Sequence, residues 1–108
     1  MTREIRLSGV KTDGGHVVVF LAGQDTCPAL NQFPKKLSEF KIQVWLLEAD
    51  GNALVPRPQY TSFRGERNAG CDSNVAQFWF RASSQQPINL VVSVDDVPTI
   101  RPIPIHVR

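Results

Sequence analysis

The sequence has few of the residues from which catalytic and metal sites are built. Its 108 residues include two cysteines and two histidines, and their separations match no zinc-ligand pattern. Cys71, His16 and His106 are the residue types that a thiol nucleophile and its base require, but nothing in their spacing brings them together. Asp95 and Asp96 are neighbours, which on a strand would point them to opposite faces, so the pair favours a turn. We therefore expect a protein without catalytic residues, metal ligands or a cofactor.

A strong excess of one charge is also missing. The formal net charge is +2, which is too small to indicate nucleic-acid binding. Arg57, Arg64 and Arg67 do lie in one region, but Glu66 and Asp72 lie among them. Basic clustering of this kind, without stacking motifs, is weak evidence for a nucleic-acid ligand. We expect no nucleic-acid partner.

Long apolar runs and a leader are missing as well. No apolar run approaches membrane-spanning length, so no membrane insertion is expected. The chain begins without a charged-then-apolar leader, which favours a cytoplasmic location. The same feature favours free thiols at Cys27 and Cys71, with a bridge between them as the alternative. The length, together with 42% apolar and 20% charged residues, predicts one globular domain over residues 1–108.

The pattern of apolar residues indicates strands. Helical spacing is not sustained over any long stretch, whereas alternation at strand spacing recurs along the chain. The clearest alternation lies in Val75–Asp95, where a polar break at Ser83–Pro87 predicts a hairpin with one apolar and one mostly polar face. The apolar face sets Ala76, Phe78, Phe80 and Ala82 opposite Val94, Val92, Leu90 and Ile88.

Two Asp-Gly dipeptides predict further hairpins, since this pair favours tight turns. The first, Asp13-Gly14, joins strands in Arg3–Lys11 and His16–Ala22. The second of these strands is apolar on both sides, which indicates cover by a second layer or by a partner chain. The expected register sets Ile5 beside Ala22 and Leu7 beside Phe20.

The second dipeptide, Asp50-Gly51, follows the alternating strand Phe40–Leu47. The expected register sets Leu46 opposite Val55 and Leu47 opposite Leu54. Residues 23–39 and 66–74 are expected to be irregular. The tail is expected to form a closing edge strand, because Pro102 and Pro104 remove amide donors from the same side of the strand.

About six or seven short strands with turn signals between them are typical of an antiparallel β-sandwich. The fold class is therefore predicted to be all-β, with immunoglobulin-like or fibronectin-type architecture. This resemblance is one of architecture only, because the Cys…Trp…Cys spacing of true immunoglobulin domains is missing. A small open barrel is the competing arrangement.

Two tryptophans supply the best clue to function. Trp45 and Trp79 both lie in outward phase, on what are counted as the third and sixth strands. Those strands are neighbours in an immunoglobulin-like sandwich, so both indoles are expected on one surface. Flat aromatic groups with amide and cationic neighbours can anchor a protein partner or stack on sugar rings. The candidate binding residues are Trp45, Trp79, Gln43, Gln77, Lys41 and Arg81.

The function that these features favour is a non-enzymatic binding or assembly module. It would contact a protein partner, or a second copy of itself, through this sheet face or through long loops. A dimer through the doubly apolar strand would use Val10, Val17 and Val19. The alternative is a carbohydrate-binding module that applies the two tryptophans to a polysaccharide. A loop from residues 24–39 or 57–74 folded over the indoles would instead make them a second core.

Overall fold

The computed structural model describes residues 5–23, 37, 40–58, 61–68, 71–81, 88–98 and 102–105, without the side chains of 66–68, 71–73 and 88. Within these ranges the regular structure consists of antiparallel strands, and no α-helix is present. The strands are β1 (Ile5–Asp13), β2 (His16–Gly23), β3 (Ile42–Glu48), β4 (Ala53–Leu54), β5 (Ser62–Asn68), β6 (Cys71–Arg81), β7 (Ile88–Val94), β8 (Val97–Pro98) and β9 (Ile103–Ile105).

The strands form two antiparallel sheets, which confirms the predicted all-β class. The four-stranded sheet has the order β1-β2-β6-β5, and the five-stranded sheet has the order β4-β3-β7-β8, with β9 also paired to β7. Each sheet contains two local hairpins joined by one long-range pair, and in the five-stranded sheet β9 also pairs with β7. The joining pairs are β2 with β6 and β3 with β7.

The predicted hairpin of residues 75–95 is wrong, because its two strands lie in different sheets. β6 pairs with β2 and β5, whereas β7 pairs with β3, β8 and β9. The face assignment is nevertheless correct for Phe78 and Phe80, which are buried, as are Leu90 and Val92. The alternation defined which side of each strand is apolar, but it did not define which strand each would pair with. Ala82 and the side chain of Ile88 lie outside the described part of the chain.

One hydrophobic core takes residues from both sheets. The four-stranded sheet contributes Ile5, Val17, Val19, Leu21, Ala76, Phe78 and Phe80, and the five-stranded sheet contributes Val44, Leu46, Leu90, Val92, Val94 and Ile105. Leu37 also belongs to this core and is only 1% exposed. Within residues 23–39 the structure describes Gly23 and Leu37, and both are buried.

The side chain of Asn74, on β6, contacts the backbone at both Leu37 and Gly23. The Oδ1 atom of Asn74 accepts a hydrogen bond from the Leu37 N–H at 2.9 Å. The same side chain lies over Gly23, where a Cβ atom would be 2.7 Å from Oδ1. The position of Asn74 therefore depends on the absence of a side chain at residue 23.

The first hairpin forms, but its register differs from the expected one. Its turn is Gly14-Gly15, whose φ values are +56° and +83°, rather than Asp13-Gly14. The shifted turn moves each partner by two residues, and a bulge between Leu7 and Gly9 then reverses one of these two. Ile5 therefore pairs with Gly23, and Leu7 pairs with Leu21 on the core side.

β2 is covered on both sides, as its sequence predicted. Val17 and Val19 lie in the core, while Val18, on the opposite face, is 0% exposed. The dimer that would use Val17 and Val19 is consequently wrong, because these side chains already pack against the second sheet.

The hairpin of β3 and β4 also differs from its prediction by one residue. Leu46 pairs with Leu54, and Leu47 pairs with Ala53. The loop is one residue longer than a two-residue turn, since Gly51 donates to the Glu48 carbonyl and adopts a φ of +91°. The shift turns Leu54 towards the core and leaves Val55 67% exposed.

Three predictions for the second half of the chain have different outcomes. Residues 66–74 were expected to be irregular, but β5 continues to Asn68 and β6 begins at Cys71, so this prediction is wrong. The turn at Asp95-Asp96 is confirmed, and both residues have positive φ. The edge position of the tail is confirmed for β9, which pairs with β7 alone among the described strands.

Candidate binding face

The two tryptophans do not share a surface, so the predicted paired-indole site is wrong. Trp45 lies on β3 in the five-stranded sheet, whereas Trp79 lies on β6 in the four-stranded sheet. Both rings are half-buried on the outward side of their strands. Trp45 and Trp79 do lie on the third and sixth strands, as counted from the sequence. The error lies in the pairing, because β3 is a neighbour of β7, whereas the sixth strand, β6, pairs with β2 and β5.

The predicted site residues divide into two groups according to sheet. Lys41 and Gln43 accompany Trp45, which pairs with Val91 across β7. Gln77 and Arg81 accompany Trp79, which pairs with Val18 across β2.

The group around Trp79 lies on a continuous outward face of the four-stranded sheet. Strand alternation puts Arg6 and Lys11 of β1, Arg81 of β6 and Arg64 of β5 on this side, opposite to the core residues next to them in sequence. The Arg57 guanidinium joins them, since its Nη1 atom lies 3.5 Å from Nε2 of His16. We call this surface the cationic face, defined by Arg6, Lys11, Arg57, Arg64 and Arg81.

Aromatic rings occupy the middle of the cationic face. The rings of His16 and Trp79 meet edge to face, with centroids 5.6 Å apart and planes at 60°. Trp79 also donates from Nε1 to Oε1 of Gln77 at 3.2 Å. The ammonium group of Lys11 lies 5.5 Å from the centroid of Phe20, within the range of a cation–π contact. These contacts restrain the Trp79 ring against His16 and Gln77.

The backbone fixes Arg57 beside this aromatic group. Pro56 and Pro58 flank Arg57, and its N–H donates to the Trp79 carbonyl at 2.8 Å. The chain has left β4 in the five-stranded sheet at this point and reached the edge of the other sheet. The segment that connects the two sheets therefore places Arg57 next to Trp79.

Charges separate between the two sheets. Among side chains that the structure describes, Asp13 is the one carboxylate on the four-stranded sheet. The described carboxylates of the five-stranded sheet and its turns are Glu48, Asp50, Asp95 and Asp96. Lys41 is paired with Asp96 at 2.7 Å. Among the described side chains, cations therefore outnumber carboxylates on the four-stranded sheet, and Asp13, which pairs with His16, lies on the same outward side as the cationic face.

Of the five residues that define the cationic face, the predicted site residues included only Arg81. Arg6 and Lys11 lie on this face, and Phe20 and His16 lie beside them, because of the register of β1 and β2, which differs from the expected one. Arg57 belongs to it because of the crossing between sheets, for which the two flanking prolines were the available signal.

The thiol–imidazole combination considered from composition is not assembled by β2 and β6. His16 pairs with Arg81 at one end of β6, and Cys71 begins the strand at its other end. The intervening length is about 30 Å at the usual rise of a strand. His106 lies outside the described residues.

Among the residues described, no cluster of three or more candidate metal ligands occurs, and no helix is long and apolar enough to cross a membrane.

Comparisons of the chain with protein-family models, with curated proteins and with solved structures find no match.

Proposed function

We propose that the protein is a non-enzymatic binding module that docks an acidic protein segment on the cationic face. The observation that carries this proposal is the coincidence of five cations with a half-buried tryptophan on one outward sheet face. Tryptophan and arginine are the residue types most enriched at the energetic centres of protein interfaces. Guanidinium groups bind carboxylates through paired hydrogen bonds, which suits aspartate and glutamate side chains.

The architecture that we infer is an immunoglobulin-like sandwich. Immunoglobulin domains order their strands A-B-E-D in one sheet and C-F-G in the other, with C′ beside C in some types. The orders β1-β2-β6-β5 and β4-β3-β7-β8 correspond to A-B-E-D and C′-C-F-G. The shared core of inward residues from both sheets supports the stacking of these sheets. In this assignment Trp45 lies on strand C and Trp79 on strand E, which belong to opposite sheets.

The features of the cationic face favour a protein over the other ligand classes. A carbohydrate module needed both indoles on one surface, and the sheets separate them. Trp79 already packs against His16 and donates to Gln77, which makes it a less suitable stacking platform for sugar rings or unpaired bases. The net charge of +2 remains small for a nucleic-acid ligand.

The proposal is tested with a poly-glutamate peptide, titrated against the full chain while tryptophan fluorescence is recorded. Arg81→Gln removes an exposed cation from the cationic face, and Lys41→Gln removes one positive charge from the opposite sheet. We expect Arg81→Gln to weaken binding by about threefold to tenfold, corresponding to about 0.7–1.4 kcal/mol. Lys41→Gln should leave binding close to the wild type.

Parallel titrations with heparin and with a single-stranded oligonucleotide complete the test. Equal effects of the two substitutions would mean that the peptide responds to net charge and not to this face. Tighter binding of either polyanion than of poly-glutamate, or no binding of the peptide at low salt, would overturn the proposal of an acidic protein ligand.

A further inference from the structure

β5 lies at one edge of the four-stranded sheet and is long and regular. It is seven residues long, Ser62–Asn68, and pairs with β6 in continuous register from end to end. Ser62, Phe63, Arg64 and Gly65 are all exposed. In the part of the chain that the structure describes, no strand lies on the side of β5 that faces away from β6. We call that side the β5 edge.

The other edges carry features that discourage pairing with a further strand. β1 has a bulge between Leu7 and Gly9. β4 and β8 have two residues each, and β9 has three, including Pro104. Short strands, bulges and prolines are the usual protection of sheet edges. Among the described strands at sheet edges, β5 alone combines a length of seven residues, a continuous register and freedom from proline.

The sequence of β5 is complementary to itself about its midpoint. Gly65 is the fourth of the seven residues of β5. If two copies pair in antiparallel fashion about Gly65, Arg64 of each copy lies opposite Glu66 of the other copy. The same register sets Phe63 opposite Arg67. Opposite charges across a strand pair are stabilising, and like charges directly opposite are destabilising.

Other registers lose this complementarity. A slip of one residue in one direction sets Arg64 opposite Arg67, and a slip in the other direction sets it opposite Gly65. A slip of two residues sets Arg64 opposite Arg64 in one direction and Glu66 opposite Glu66 in the other. The register about Gly65 therefore uses all seven residues and is the one in which Arg64 meets Glu66.

We propose that two copies of this chain associate by antiparallel pairing of their β5 edges about Gly65. The contact joins two four-stranded sheets into one sheet of eight strands and places the two cationic faces side by side. It also covers the rim of the core, where Phe63 is 46% exposed and packs edge to face on Phe78 with centroids 6.0 Å apart. The pairing shares Arg64 with the cationic face, but it does not depend on the ligand proposed above.

Charge reversal on β5 tests the proposal by sedimentation velocity over a concentration series. Arg64→Glu and Glu66→Arg each set like charges opposite each other twice, so each should weaken association by about tenfold or more. A chain carrying both substitutions regains opposite charges and should associate as the wild type does. An equimolar mixture of the two single variants should form a mixed dimer. Lys41→Glu, on the other sheet, is the matched control and should change nothing.

Three results would overturn the proposal. The first is a wild-type chain that stays monomeric up to a concentration of about 1 mM. The second is association that neither reversal affects, and the third is a mixture of the two variants that stays monomeric while the wild type dimerises. Circular dichroism and the urea midpoint report whether each variant folds. If one reversal does not fold, loss in the other variant and recovery in the doubly substituted chain still decide the matter.

The ligand test remains separate from this one. Arg81 lies on β6, away from the β5 edge, so Arg81→Gln alters peptide binding and not the mass in solution.

Discussion

Gly23→Ala is the substitution whose cost follows most directly from the structure. The added Cβ atom would lie 2.7 Å from Oδ1, 2.9 Å from Nδ2 and 3.0 Å from Cγ of Asn74. All three distances are at or below the closest approach that real side chains show. Gly23 does not have positive φ, so the backbone itself accepts alanine, and the clash with Asn74 alone determines the cost.

Asn74 can respond in two ways, and each is costly. If the side chain stays, the backbone of β2 or β6 must shift, and overpacking of this kind costs about 1–3 kcal/mol. If the side chain turns away, the Leu37 N–H loses its acceptor at 2.9 Å, and an unsatisfied donor in a partly buried position costs about 1–3 kcal/mol. The less costly route is followed, so we expect Gly23→Ala to lower the free energy of unfolding by about 1–3 kcal/mol.

Urea denaturation followed by tryptophan fluorescence measures this loss. Gly9→Ala is the matched control, because a Cβ atom there meets nothing within 4 Å, and its effect should stay within about 0.5 kcal/mol. Asn74→Ala removes the three clashing atoms, so adding Gly23→Ala to that variant should cost less than about 0.5 kcal/mol. Equal stabilities of the Gly23 and Gly9 variants, or an undiminished cost in the Asn74→Ala background, would refute the reasoning.

Two further predictions concern the faces of β4 and β6. Leu54 packs against the core and Val55 is exposed, so Leu54→Ala should cost about 1–2 kcal/mol and Val55→Ala less than about 0.5 kcal/mol. The reverse order in urea denaturation would restore the register expected from sequence. Phe80 is 0% exposed, so Phe80→Ala should cost about 3–5 kcal/mol. Trp79→Ala should cost at least about 1 kcal/mol less, and equal thermal or urea losses at the two positions would contradict the outward assignment of Trp79.

The side of most strands that faces the core could be predicted from the sequence. Successive side chains of a strand point to opposite faces, so alternating apolar residues mark the buried face. Phe78, Phe80, Val44 and Leu46 are buried as expected. Pairing between distant strands could not be predicted in this way. Alternation is the same whichever neighbour a strand takes, so β6 and β7 were joined as a hairpin although they belong to different sheets.

Register within hairpins failed for a different reason. A bulge near Leu7 and an additional loop residue at Gly51 each shift the pairing by one position, and one position exchanges the two faces. Both errors, the wrong strand pairing and the shifted register, affected the predicted site. Trp79 and Arg81 were found from their outward phase, whereas Lys11, Phe20 and Arg57 depend on pairing and on the crossing between sheets.

The way each sheet is assembled has a consequence for the rate at which the chain folds. Hairpins such as β1-β2 and β5-β6 bring together residues close in sequence, and such units form within microseconds but are marginal alone. Their union through β2 with β6, or β3 with β7, must close a loop of several tens of residues before any contact across it stabilises the chain. Folding is therefore expected on the millisecond-to-second scale typical of β proteins dominated by distant contacts. Substitutions at the joining strands, such as Val19→Ala, should slow folding, whereas those at the outer strands should mainly hasten unfolding.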